Sequence, residues 1–152
     1  MYQQMQKIVI IFILFSFFVN LHAKDEYFLT LRNEKVNLRQ GPSFDYPVKI
    51  FYKKKFLPVL IQDKSDNFRK IRDHENNSGW IHISQLSKKK AAIVISKKSL
   101  IFSKNTIYSK PLAIPEVGKL LLIKKCANDW CKIRSNEVEG WIKSKHLWGN
   151  LG

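Results

Sequence analysis

Three kinds of side chain in this 152-residue sequence could carry chemistry: thiols, imidazoles, and aromatic rings set among cations. The thiols are Cys126 and Cys131, which bracket Ala-Asn-Asp-Trp between two apolar runs. On a hairpin they face one another across the turn, and in an oxidising compartment a disulfide is expected. A redox pair or a metal site is the alternative, although the spacing is not C-x-x-C and no second ligand pair exists. His74, His82 and His146 stand at no ligand spacing from one another, from Cys or from a carboxylate, which is a poor pattern for a metal centre. No Ser lies in a Gly-x-Ser-x-Gly setting. The expectation is a chain without catalytic residues, cofactor or metal, and hence not an enzyme.

The third kind is better organised. Asn67 to Ser87 reads NFRKIRDHENNSGWIHISQLS, and Asp129 to Gly149 repeats its plan as DWCKIRSNEVEGWIKSKHLWG. Ile71 falls on Ile133 at an offset of 62, Trp80 on Trp141 at 61, and Pro58 to Ile61 on Leu120 to Ile123 at 62. A period of about sixty residues is too long for a solenoid and suits two small tandem domains. Strand parity sets Phe68 opposite to Ile71, Trp80 opposite to Ile81, Trp130 opposite to Ile133 and Trp141 opposite to Ile142. With the isoleucines inside, the aromatics lie outside, beside Asn37, Arg39, Lys70 and Arg72. Rings flanked by cations make an amphipathic surface suited to sugar rings, peptide prolines or acidic groups. The competing reading has the rings cover the mouth of a small barrel or pack where the two halves meet, Trp141 and Trp148 above all.

The elements that must position these residues are short strands. Tyr27 to Leu31 alternates, and Val36 to Arg39 puts Val36 and Leu38 on one face and Asn37 and Arg39 on the other. Gln40 to Pro47 is a loop punctuated by Gly-Pro and a second Pro. Val48 to Tyr52, Leu57 to Gln62, Phe68 to Arg72 and Gly79 to Ile83 follow as strands, divided by polar turns, with a short helical turn at Ser84 to Leu86. After Lys88-Lys89-Lys90 the pattern begins again, with strands at Ala92 to Ile95, Ser99 to Phe102, Gly118 to Lys125, Trp130 to Arg134 and Gly140 to Lys143. No amphipathic run is long enough for a core helix. Short strands between turn signals read as small all-β barrels.

Export is written at the front. Ile8 to Val19 is apolar apart from Ser16, follows Lys7, and leads to Ala23. Twelve helical residues span about 18 Å, too little for a hydrocarbon core of about 30 Å. The segment therefore reads as a signal peptide cleaved after Ala23, with an uncleaved anchor as the alternative and no transmembrane span once it is cleaved. The net charge is +15, and loss of Lys7 lowers it by one. Such a field favours anionic surfaces, although Lys also guards exposed strand edges. The triplets Lys53–Lys55 and Lys88–Lys90 read as solvated or as salt-sensitive contacts with wall or membrane anions.

These residues resemble a known family. Val36-Asn37-Leu38-Arg39-Gln40-Gly41-Pro42-Ser43, then Tyr46-Pro47-Val48, and finally Gly79-Trp80-Ile81 with Leu86 are similar to the bacterial SH3-like (SH3b) domain. The second half carries the ending, Trp130 through Gly140-Trp141-Ile142, while Phe102-Ser103-Lys104-Asn105 replaces the Arg-x-Gly-Pro opening. In the first half Phe56 stands where the family has a turn glycine, kept as Gly118 in the second. A Phe resists positive φ, so this turn is either of another type or strained. Phe68 stands where the family has Trp. The resemblance implies an all-β fold of two tandem small SH3-like β-barrels after the signal peptide: residues 1–23 signal, 24–87 first domain, 88–91 basic linker, and 92–149 a divergent second domain. It also implies a non-catalytic module of the cell envelope, periplasmic or secreted. Its partner would be peptidoglycan, another wall polymer or an envelope protein; a nucleic-acid ligand fits the charge but clashes with the export signal, so no specific one is expected. The expected ligand-binding residues are Asn37, Arg39, Tyr46, Phe68, Lys70, Arg72 and Trp80. The alternative is a protein–protein adaptor that works through the loop Gln40 to Pro47.

Overall fold

The computed structural model describes residues 25–152; the expected signal peptide lies outside the described residues. The chain forms β1 (Tyr27–Leu31), β2 (Val36–Arg39), β3 (Val48–Tyr52), β4 (Pro58–Ser65), β5 (Phe68–Arg72), β6 (Ser78–His82) and β7 (Leu86–Ser87). It continues with β8 (Ala91–Val94), β9 (Ile101–Phe102), β10 (Pro111–Ala113), β11 (Leu120–Ala127), β12 (Trp130–Arg134), β13 (Glu139–Lys143) and β14 (Leu147–Asn150). Single 3-10 turns at Ile83–Gln85 and Ser144–His146 are the helical elements among the described residues.

The two closed barrels expected from the sequence are not what forms. Each half is an open, seven-stranded antiparallel sheet, ordered β3-β2-β6-β5-β4-β1-β7 and β10-β9-β13-β12-β11-β8-β14. Closure would require the end strands β3 and β7 to pair, and they do not. The two-residue β7 is paired with β1 through Thr30 opposite Ser87 and Leu31 opposite Leu86. At the other end β3 pairs with β2 alone. In the second sheet β10 begins with Pro111, which has no N–H to donate, and its pairing with β9 is irregular between Pro111 and Ala113.

Each open sheet still bends over its own core. Leu31, Val36, Leu38, Val59, Ile71 and Ile81, from five different strands, meet in one solvent-free cluster. Register shifts between Leu38 and Arg39 and between Ile61 and Asp63 supply the local twist that this curvature needs. The second cluster is built alike from Val94, Ile101, Leu121, Ile133 and Ile142. The halves also share packing: Ile93 belongs to the first cluster, and Leu120 packs against it. Trp148 reaches across to Phe28, edge to face at 4.9 Å, and to the His74 ring at 6.3 Å. This is the junction role weighed for that ring from the sequence.

Candidate ligand-binding site

The candidate residues stand on the face of β2, β5 and β6 turned away from the core. Directly opposed residues of antiparallel strands share a face. Arg39 pairs with Trp80 and Trp80 with Lys70, so three strands give a row of cation, indole and cation. Arg72 opposite Ser78 and Phe68 opposite His82 flank that row on either side. Below it, Leu38, Ile71 and Ile81 point into the core and fix the strand faces. Gly79 allows β2 and β6 to come this close, since a Cβ there would stand 2.6 Å from the Arg39 carbonyl oxygen and 2.8 Å from Leu38 Cγ.

Arg39 also holds the neighbouring loop. Its Nη1 donates to the carbonyls of Phe44 at 3.0 Å and Tyr46 at 2.8 Å, and its guanidinium lies 5.3 Å from the centre of the Phe44 ring. The Tyr46 ring rests on Gly41, where a Cβ would meet it at 2.5 Å. Phe44, Phe68 and His82 form an aromatic triad with centroid separations of 5.2, 5.1 and 5.1 Å. His82 Nδ1 accepts from the Ser84 backbone N–H and so caps the following turn.

The seven residues expected from the sequence are therefore distributed in three ways. Arg39, Lys70, Trp80 and Arg72 share one surface, with Lys70 exposed and the other three half-buried. Asn37 lies on the same face of β2, opposite Phe51 of β3. Tyr46 is in the loop, 47% exposed. Phe68 was expected on the open surface, but only 6% of it is exposed; it is the floor beneath Phe44. The same holds for Trp130, buried against Phe102 at 5.6 Å with Lys143 over its ring. Parity alone places these rings off the core side, but a loop or strand end then covers them.

Several residues of this face were not legible beforehand. Phe44, 62% exposed, needed the loop to fold back over β5 and β6. Lys49 donates to the Ser78 carbonyl at 3.0 Å and adds a cation beside Trp80's strand. Asp73 is buried, and its carboxylate accepts from Tyr52 Oη at 2.8 Å, the Glu75 and Asn77 backbone N–H groups and Asn77 Nδ2. Burial, followed by the hydrogen bond to Asp73, pushes the Tyr52 hydroxyl well above the ordinary tyrosine range. This network fixes the turn that carries Asn76, whose side chain accepts from Arg72 at 2.9 Å. Its only sequence cue is an Asp opening a polar turn.

The corresponding face of the second sheet is electrostatically different. Lys132 opposes Trp141 as Lys70 opposes Trp80, and Lys125 lies 5.7 Å from the Trp141 ring centre. Glu139, however, occupies the position of Ser78 and binds Lys124 at 2.7 Å and Lys132 at 3.0 Å. Hydrogen bonds from Lys124 and then Lys132 hold its carboxyl at a pKa of about 2. Cys126 and Cys131, directly opposed on β11 and β12, are joined in a disulfide. Among the described residues there is no free cysteine, no group of three or more His, Cys, Asp or Glu able to hold a metal, and no helix long and apolar enough to cross a membrane.

A family model described as bacterial SH3 domain matches residues 32–88 and 109–149, more than half of the chain. No curated protein matches it. Solved structures that match include NlpC2 and NlpC1 from Trichomonas vaginalis, each 13% identical with a TM-score of 0.37; the matches cover 82% and 83% of this chain and 48% and 46% of theirs. An NlpC/P60 family protein from Bacillus cereus ATCC 10987 matches at 10% identity and a TM-score of 0.37, over 80% of this chain and 56% of that one. The chain spans about half the length of these solved chains.

Proposed function

The chain belongs to the bacterial SH3 domain family, and from that premise we propose that it is an exported, non-catalytic protein that binds a wall polymer, peptidoglycan foremost, in the cell envelope. The observation that carries this reading is the row Arg39–Trp80–Lys70, an indole held between two cations on a rigid three-stranded support. The ring offers a flat apolar face to a sugar or a peptide, and the cations offer charge to a carboxylate. Arg72 and Lys49 extend the positive edge, and Tyr46 and Phe44 extend the aromatic one. Asn37 and Phe68 serve this face from its side and from beneath. The export reading rests on the pattern of residues 1–23 and agrees with the disulfide.

A second reading is favoured by one observation. Arg39 clamps the loop Gln40 to Pro47 so that Phe44 is presented in a fixed position, as a contact for a protein partner would be. Co-sedimentation with purified sacculi at low salt and at about 0.15 M salt separates the readings. Retention at the higher salt that Trp80→Ala abolishes, in a protein that remains folded, is the expected result. Retention unchanged by Trp80→Ala would remove this face from the site. No retention at either salt would favour the adaptor, and crosslinking within the envelope would then have to yield a defined partner.

A further inference from the structure

Phe56 is the most costly backbone choice in the described chain. Five residues other than glycine have positive φ: Asp66, Asn76, Asn128, Asp129 and Phe56, the last at 64°. Asp and Asn tolerate this region; an aromatic residue has no such compensation. The equivalent turn of the second sheet uses Gly118 at φ 86°. The two turns match bond for bond, with the Phe56 N–H donating to the Leu31 carbonyl and the Gly118 N–H to that of Val94, each at 2.8 Å. One copy therefore satisfies the turn without strain while the other keeps a ring there, and strain held in one place is a reason to look for a function.

The surroundings of that ring supply one. Phe56 lines a cavity of about 300 Å³ between the two sheets, together with Leu120, Leu122, Lys119, Arg134 and Glu137. Lys55 and Lys89, from the two lysine triplets, stand 5.1 and 6.0 Å from the ring centre. The triplets are far apart in sequence and converge here. Lys119 is paired with Glu137 at 3.8 Å, which leaves positive charge in excess. Asn136 adds an amide to the wall, while the Ser135 hydroxyl donates to the Val138 carbonyl and accepts from the Glu137 and Val138 N–H groups.

We infer that this junction cavity is a second binding site, for a sugar ring that bears an acidic substituent. Phe56, Leu120 and Leu122 meet the apolar face of the ring, Asn136 its hydroxyls, and Lys55, Lys89 and Arg134 the acid. The volume suits one ring and not a chain. The site does not depend on the Trp80 face. The acid is a carboxylate if the source is a wall glycan and a phosphate if it is a lipid-linked saccharide; both share this chemistry.

The test is an NMR titration of the protein at about 0.15 M salt with galacturonate, glucosamine 1-phosphate and neutral galactose in separate arms. Shifts centred on Phe56, Leu120 and Leu122 are expected with one or both acidic sugars and not with the neutral one. The arm with the stronger response identifies the acid. Phe56→Gly keeps the left-handed turn and should weaken binding about tenfold, the worth of one stacking contact, with no fall in melting temperature. Lys89→Gln/Arg134→Gln should weaken the acidic sugars without perturbing the Trp80 face, which keeps the inference testable if Phe56→Gly fails to fold. It is overturned by absence of shifts at the cavity, by equal response to the neutral sugar, or by undiminished affinity in Phe56→Gly or in the double variant.

Discussion

Removing the Tyr52 hydroxyl tests whether buried polar geometry, and not only the apolar core, fixes the face that carries Trp80. Tyr52→Phe keeps the ring, which is 8% exposed, and deletes one hydrogen bond of 2.8 Å to the Asp73 carboxylate. A hydrogen bond to a charged group contributes about 1.5–3 kcal/mol. Asp73 Oδ2 still accepts from Asn77 Nδ2, so the carboxylate is not orphaned and the loss should lie at the low end, about 1.5 kcal/mol. Asp73→Ala removes the acceptor for the phenol, two backbone N–H groups and an amide, and should cost about 3 kcal/mol. Urea unfolding of the wild type, both single variants and the double variant then gives the coupling, expected above about 1 kcal/mol. The alkaline limb supplies a second readout. Tyr52 has a folded-state pKa above its ordinary 10.0, so its contribution is complete below about pH 10 and is lost as pH rises beyond it, where the unfolded chain ionises first. Tyr52→Phe should remove that part of the slope. A change in stability below about 0.5 kcal/mol, with an unaltered alkaline limb, would refute the reasoning.

Three further outcomes follow from the same geometry. Gly79→Ala forces a Cβ to within 2.6 Å of the Arg39 carbonyl oxygen and should cost about 1–3 kcal/mol in urea unfolding, with a change in Trp fluorescence as β2 moves off β6. Arg39→Ala removes the donor that Nη1 supplies to both loop carbonyls and should raise amide exchange across residues 41–46 while leaving exchange in β5 unchanged. Glu139 has its pKa lowered from 4.5 to about 2, so its contribution is present above about pH 4.5 and fades as pH falls towards 2. Glu139→Gln should flatten that acid limb, and because the carboxylate is exposed the difference should shrink with added salt.

What could be read in advance was whatever depends on neighbours in sequence. Alternation in Val36 to Arg39 and the β-branched residues of the KIR and GWI segments produced strands with the expected inward faces. The two cysteines flank a turn and are bonded across it. Closure is a property of strands distant in sequence. Whether β3 meets β7 depends on how far Leu86–Ser87 extends, and a two-residue strand beside β1 offers β3 too short an edge to close a barrel. Parity misled for a related reason. It fixed the side of the sheet on which Phe68 stands but carried no information on the loop that covers it, so an outward ring became a buried one. Phe56 was open between two conformations, and the left-handed one is realised because the Leu31 carbonyl needs its N–H.

The two copies of the sheet spend equivalent positions differently, and the differences share a direction. Where β11 and β12 oppose Cys126 to Cys131, β4 and β5 oppose Lys64 to Arg69. A covalent bond stabilises the first arrangement, whereas like charges directly across a ladder disfavour the second. Arg69 is accommodated by donating to the carbonyls of Asp66 and Phe68. Where the second sheet has Glu139 to neutralise two lysines, the first has Ser78 and leaves Lys70 beside Trp80 without that carboxylate. Where the second has Gly118, the first has Phe56. At each of these positions the second copy holds the residue that favours folding: a disulfide, a carboxylate between two lysines, and a turn glycine. The second copy also stabilises the first directly. Its strands supply Ile93 and Leu120 to the first core, so the first sheet can carry a strained turn that it would carry less readily alone.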